Sequence, residues 1–298
     1  MMTFSRIKRR LAQSGLRGLL ASGMRRAASR LDPVPTIDSH QTSAHKVLSR
    51  YVSFEGKTVL EVGGSELCES ARPFLEDGAA EVVVTGLDHI SQEQPGAESG
   101  LRILRADALS LSSVFEPCSF DIVYGLSIVE HIPSPKVFLE EIYRVLKPGG
   151  LAYLEGDPVW SCSKGHHLFV ATWGGAYQNR ATANYLFTQV PSAISTNPLP
   201  DWSHLTMTQD QMSEYLAAES IPSVDIECII DWVYYSDNIN RLSMREIAEA
   251  YTTSRLMVLE ASTHRVDVPR EVELALRKQR GDGIDYGICG VSYVLARP

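Results

Sequence analysis

Two carboxylates and a pair of glycines, each just beyond a short β-branched apolar run, hold the densest chemical signal in this chain of 298 residues. The first run ends in Leu60-Glu61-Val62-Gly63-Gly64-Ser65, where glycine lets the backbone turn sharply and approach a ligand, and a following helix offers unpaired amides. A pyrophosphate-binding turn of the dinucleotide type needs G-x-G-x-x-G. Counted from Gly63, the later glycine positions hold Ser65 and Cys68, which argues against a nicotinamide cofactor. Asp88 follows the second run, where a carboxylate can accept both hydroxyls of a ribose. Asp107, in Arg105-Ala106-Asp107-Ala108 after the third, can accept an adenine amino group while the Ala108 amide faces a ring nitrogen. Taken singly, these residues read equally well as a tight turn, a helix cap and a turn acid.

Histidines supply the acid–base candidates. His131, in Gly125-Leu126-Ser127-Ile128-Val129-Glu130-His131, falls after the fourth run, and its ordinary pKa of about 6.5 suits proton acceptance near neutrality. It is the candidate catalytic base; its bland alternative is a loop-packing role beside Glu130. His166, His167 and His204, with Trp202, lie in a long segment that would sit over an acceptor, and they are the candidate substrate-binding residues. Trp160, Trp173 and Tyr177 add flat apolar surface there, suited to a sugar ring or to simple packing. Three histidines near Glu155 and Asp157 could also bind a divalent metal. Adjacent His166 and His167 point in different directions on a regular backbone, however, and no metal is expected.

The elements that must position these groups alternate. Thr58 to Val62, Glu81 to Thr85, Leu101 to Leu104, Asp121 to Tyr124 and Leu151 to Leu154 read as strands, mostly with helical patterns between them. Parallel strands need crossover connections, so this rhythm predicts a helix-wrapped sheet. Ile226 to Ile230 and Ile288 to Leu295 are later strand candidates. Lys147-Pro148-Gly149-Gly150 reads as a helix stop and turn, outside the site. Segments 156–207 and 234–285 exceed ordinary connections and are read as substrate-side insertions.

Composition narrows the classes. The hydrophobic share of 44% supports a core, and no apolar run approaches the roughly 20 residues of a spanning helix. Five dispersed cysteines without a CxxC pair suggest neither a disulfide framework nor a zinc site, and point to a reducing, cytoplasmic setting. Residues 1–31 hold eight basic and no acidic residues, whereas the remainder holds 20 basic against 36 acidic ones and should repel nucleic acid. Leu16, Leu19, Leu20, Met24, Ala27 and Leu31 share one side of a helical wheel, so residues 1–35 read as a basic amphipathic arm. Such an arm suits an anionic membrane surface or the acidic body equally, and its composition also resembles a transit peptide.

In order and spacing these segments resemble the class I S-adenosylmethionine-dependent methyltransferases, closely from Thr58 to about Glu155 and loosely to the final strand. The resemblance implies an α/β, doubly wound, mainly parallel sheet of seven strands, the last antiparallel (the Rossmann-like methyltransferase fold), over residues 36–298. It implies S-adenosylmethionine as cofactor. Glu61, Gly63 and Gly64 match the motif around its amino-acid part, Asp88 the ribose acid, Asp107 and Ala108 the adenine pair, and Leu126 and Ser127 the positions flanking cofactor and reaction centre. Ser65 departs from the family's E-x-G-x-G. The expected function is methyl transfer to a small-molecule or glycan acceptor, most readily at oxygen. The alternatives are a non-catalytic, membrane-associated cofactor-binding protein and an NAD-dependent oxidoreductase.

Overall fold

The computed structural model describes residues 40–87, 90, 94–95, 99–168 and 197–298. The basic arm, Asp88, Trp173 and Tyr177 lie outside the described residues.

Short helix α1 (Ser43–Leu48) precedes β1 (Thr58–Val62), α2 (Arg72–Glu76), β2 (Glu81–Gly86), the two-residue β3 (Gln94–Pro95), β4 (Leu101–Arg105) and β5 (Phe120–Gly125). After β5 comes a single 3₁₀ turn at Val129–His131, then α3 (Pro135–Val145) and β6 (Leu146–Gly156). The remainder is α4 (Ser203–Thr206), α5 (Gln209–Ala218), α6 (Ser223–Tyr235), α7 (Met244–Thr252), β7 (Met257–Arg265), α8 (Arg270–Arg280) and β8 (Ile288–Ala296).

The strands form one sheet in the order β3-β4-β2-β1-β5-β6-β8-β7. From β4 to β6 all neighbours are parallel, while β3, β8 and β7 pair antiparallel. With β3 set aside as a two-residue rim, seven principal strands remain, which is the number expected though not in every case the segment expected. Order reverses between β1 and β5, and the carboxyl ends of strands at such a switch point form the crevice where open α/β sheets bind ligands.

Side chains alternate across the sheet, as a pleated strand requires. Leu60, Val62, Val83 and Val123 face α3 and α7 in one cluster, with Phe138, Ile142, Ile247 and Tyr251. Val59, Val82, Ile122 and Tyr124 face α1 and α2 in another, with Leu48, Phe54 and Phe74. A third cluster joins Trp160, Trp202, Leu216, Trp232 and Leu276 into a separate helical layer. Its helix α5 starts with a capping box, Thr208 with Gln211, and α7 has the same device in Ser243 with Glu246.

Three expectations change, the first being Lys147-Pro148-Gly149-Gly150, read as a turn before the strand but lying within β6 (Leu146–Gly156), with its bend carried by Gly149 at φ +78°. Ile226 to Ile230 is not a strand but the middle of α6, in which Asp225, Ile229, Trp232 and Val233 are the buried residues. That is helical spacing, and Pro222 stands at its start. Segment 234–285, read for its helical patterns, also supplies β7, an edge strand whose residues are mostly exposed.

Candidate active site

Six of the motif positions, Gly63, Gly64, Asp107, Ala108, Leu126 and Ser127, follow the carboxyl ends of β1, β4 and β5. Gly63 takes φ +84°, and the amides of Gly63 and Gly64 both donate to the Thr85 carbonyl, at 2.9 and 2.8 Å. A Cβ on Gly64 would lie 2.7 Å from the Glu61 carboxyl carbon and closer still to Val84 Cγ1, so only glycine lets this turn press flat against β1 and β2. Gly86 meets the Gly64 carbonyl in the same way, with 2.8 Å to a hypothetical Cβ.

Glu61 itself points inward. It is buried, with Oε1 accepting from Ser70 Oγ at 2.6 Å and Oε2 from the Tyr124 hydroxyl at 2.9 Å. Burial pushes its pKa up, and the two hydrogen bonds oppose that. Glu61 therefore braces the glycine turn from beneath. Asp107, in the loop after β4, closes an Asx turn by accepting the Leu109 amide on Oδ1 at 2.8 Å; it and Ala108 are half-buried. Leu126 and Ser127, just beyond β5, are also half-buried.

Ser127 opens a network that the sequence motifs did not reveal. It adopts φ +45°, an uncommon conformation for a side-chain-bearing residue, and its Oγ lies 3.2 Å from His40 Nε2. His40 Nδ1 in turn lies 3.0 Å from Glu155 Oε1, while Glu155 Oε2 accepts from Tyr153 at 2.7 Å and Ser43 at 3.0 Å. Burial pushes the Glu155 pKa up, but hydrogen bonds from His40, Tyr153 and Ser43 outweigh it and leave the carboxyl below its usual range. A carboxylate behind an imidazole behind a hydroxyl is an arrangement that can take up a proton. His40 was missed because it stands 87 residues from Ser127, before β1, where no local spacing links it to the motifs.

The other histidines form a second group. His131 ends the 3₁₀ turn after β5, with Nδ1 on the Asn238 carbonyl and Nε2 3.8 Å from Glu130 Oε1. His167 stacks edge-on to it with ring centroids 5.4 Å apart. His166, His204 and Trp202 were expected to line a substrate wall, yet all are buried among the helical layer. His204 Nε2 donates to the Trp160 carbonyl at 2.8 Å, Trp202 Nε1 to the Tyr286 carbonyl at 3.1 Å, and His166 Nδ1 accepts from the Leu168 amide at 3.0 Å. Desolvation pushes all three imidazoles down: His166 well below its usual value, His167 to about 3 and His204 to about 4. They are neutral near pH 7. Trp202 and His204 serve as packing residues, and the structure brings neither to the switch-point edge.

The donor set at that edge fits a nucleoside sulfonium. A turn pressed flat by Gly63 and Gly64, the Asp107 loop and the Leu126-Ser127 loop follow the carboxyl ends of the parallel strands β1, β4 and β5, with β2 between β4 and β1. Glu61 is the exception, since both its carboxyl oxygens are committed internally.

Residues 62–154 match the family described as "Methyltransferase domain". An uncharacterized methyltransferase of Mycobacterium sp. (strain JLS) is 36% identical over 112 residues, covering 38% of this chain and 43% of its own. A ubiquinone biosynthesis O-methyltransferase of Pseudomonas entomophila (strain L48) is 34% identical over 113 residues, covering 34% and 45%. An S-adenosylmethionine-dependent methyltransferase structure from Mesorhizobium loti aligns with 88% of this chain and 100% of its own, at 14% identity and a TM-score of 0.47. The chain spans less than half the length of the curated relatives it matches. Residues 62–154, set on the switch-point edge just described, are thus the part of the chain that is similar to the methyltransferase-domain family.

Proposed function

We propose that the protein transfers a methyl group from S-adenosylmethionine to a small-molecule or glycan acceptor at oxygen, with His40 as the base. The observation that carries this reading is the Ser127–His40–Glu155 network at the ends of β5 and β6, beside the glycine turn. Relatives named as O-methyltransferases support oxygen as the target.

Gly63, Gly64, Asp107, Ala108, Leu126 and Ser127 would hold the cofactor, together with Asp88, which lies outside the described residues. When bound, the cofactor supplies an electrophilic methyl group on a sulfonium. The chain's own task is alignment and proton removal. Holding an acceptor oxygen in line accounts for roughly 7 to 11 kcal/mol of barrier lowering. In the tautomer that donates Nδ1–H to Glu155, His40 presents an Nε2 lone pair, at present engaged with Ser127 Oγ. An acceptor hydroxyl displacing Ser127 gives its proton to that nitrogen, and ionised Glu155 stabilises the resulting imidazolium. His131 is the weaker candidate, because its Nδ1 is anchored to Asn238 in a group of its own.

The test incubates the protein with labelled S-adenosylmethionine and a panel of hydroxylated acceptors, then compares His40→Asn with wild type. A positioned base contributes typically about 10² to 10⁴ in rate, so kcat should fall within that range while cofactor affinity is kept. Unchanged kcat removes His40. Calorimetry showing saturable NAD binding and none of S-adenosylmethionine or S-adenosylhomocysteine rejects the methyl-transfer reading altogether.

A further inference from the structure

We infer that Glu130, His131 and His167 form a binding site for one divalent transition-metal ion of the zinc or iron(II) type. One ligand atom from each residue lies within 4.8 Å of the others. The two rings are held in the tautomer that ligation needs. A carbonyl oxygen can only accept, so His131 Nδ1 carries its hydrogen toward Asn238 and His167 Nδ1 carries its own toward Gly165, at 2.7 Å. Nε2 is the lone-pair nitrogen of each ring in that tautomer, and His131 Nε2 faces Glu130. Metal-ligating histidines are oriented in this way, the second nitrogen donating to a carbonyl or carboxylate.

The third member is a carboxyl group in the wrong place for an apolar core. Glu130 is about 1% exposed, its Oε1 receives a long 3.3 Å bond from the Asp157 amide, and Oε2 has no hydrogen-bond partner among the described residues. The chain makes room for that oxygen by leaving position 156 as glycine, where a Cβ would lie 2.7 Å from it. His131 Nε2 and Glu130 Oε1 face each other at 3.8 Å, beyond hydrogen-bond reach, so a proton does not bridge them. A metal would. Ligands about 2.1 Å from tetrahedral zinc stand about 3.4 Å apart, so binding would draw the three groups together from their present separations of up to 4.8 Å.

The scaffold is built to hold this geometry. Asn240 donates through Nδ2 to the Val129 and Ile132 carbonyls, at 2.7 and 2.9 Å, and through its amide to the Glu130 carbonyl at 2.9 Å. The loop between α6 and α7 thereby clamps the turn carrying Glu130 and His131. His167 is fixed from the other side in a left-handed conformation, φ +54°. Two imidazoles with a carboxylate favour zinc, iron(II), cobalt or manganese over magnesium and calcium, which prefer oxygen donors. His131, about one-third exposed, marks the side on which a further coordination position opens to solvent.

The full chain, stripped by chelator and shown to be folded by circular dichroism, is titrated with Zn²⁺ by calorimetry and with Co²⁺ by visible absorption. One equivalent should bind, with cobalt ligand-field bands and no displacement by excess Mg²⁺. Losing an outer-shell partner weakens such sites about 10- to 100-fold, so loss of a ligand in His131→Ala or Glu130→Gln should exceed about 100-fold. His131 is partly exposed, so its variant folds even if changes at buried Glu130 or His167 do not. His264→Ala, at an exposed histidine, should bind as wild type. Absence of saturable Zn²⁺ binding, competition by Mg²⁺, or cobalt bands unmoved by His131→Ala each overturn the site.

Discussion

Adding one methyl group at Gly64 tests whether the glycine turn is pressed against the sheet as described. The new Cβ would sit 2.7 Å from the Glu61 carboxyl carbon and nearer still to Val84 Cγ1, where carbon atoms prefer about 3.5 to 4.0 Å. Neither neighbour can retreat. Val84 is fully buried in β2, and Glu61 is held by Ser70 and Tyr124. Overpacking of this kind costs about 1 to 3 kcal/mol, and the double clash puts Gly64→Ala at the upper end, about 2 to 3 kcal/mol. At about 2 to 4 °C per kcal/mol, the melting temperature should fall by about 4 to 12 °C. Gly149→Ala is the control. Its φ is +78° but nothing lies within 4 Å of the added carbon, so it carries only the left-handed backbone penalty of about 1 to 2 kcal/mol. Thermal unfolding followed by circular dichroism, with S-adenosylhomocysteine affinity by calorimetry, separates the two. Gly64→Ala should melt below Gly149→Ala and lose affinity, whereas Gly149→Ala should keep it. Equal melting temperatures with intact affinity for Gly64→Ala would refute the packed turn.

Acid pH should expose two further features. Glu155 has a folded pKa below its ordinary 4.5, so the unfolded chain takes up its proton first. Its stabilisation is present above pH 4.5 and is lost as pH falls toward the folded value, and denaturant titrations should show a shallower acid loss for Glu155→Gln than for wild type. For His166 and His204 the sign follows from neutral burial. Both titrate near 6.5 when unfolded but stay unprotonated in the fold down to about 4 for His204 and well below 6.5 for His166. Stability should therefore decline as pH drops below 6.5, these two alone adding a slope approaching about 3 kcal/mol per pH unit. A stability curve flat from pH 7 to 5 would contradict their burial.

Much of the sheet could be read directly, because β1, β2 and β5 are runs of β-branched residues buried on both faces. The glycine turn and the Asp107 loop could be read too, since each follows its strand within a few positions. What escaped depends on distance along the chain. His40 reaches Glu155 from before β1, and Asn238 reaches His131 across 107 residues. β7 escaped because its outward residues, among them Glu260, His264 and Arg265, dilute the apolar alternation. Ile226 to Ile230 misled because five residues are too few to tell a period of 2 from one of 3.6. His131 and His167 looked like separate candidates until the fold set their rings 5.4 Å apart.

The two rims of the sheet bear on behaviour at high concentration. One ends in β3, two residues long and containing Pro95, which has no amide hydrogen to offer a further strand. The other ends in β7, where Glu260 is gripped by Arg50 at 3.0 Å and by Tyr51 at 2.7 Å, and where His264 and Arg265 follow. A second molecule approaching β3 meets a missing donor, and one approaching β7 meets Glu260 and Arg265 among its exposed residues, features that disfavour edge-on pairing.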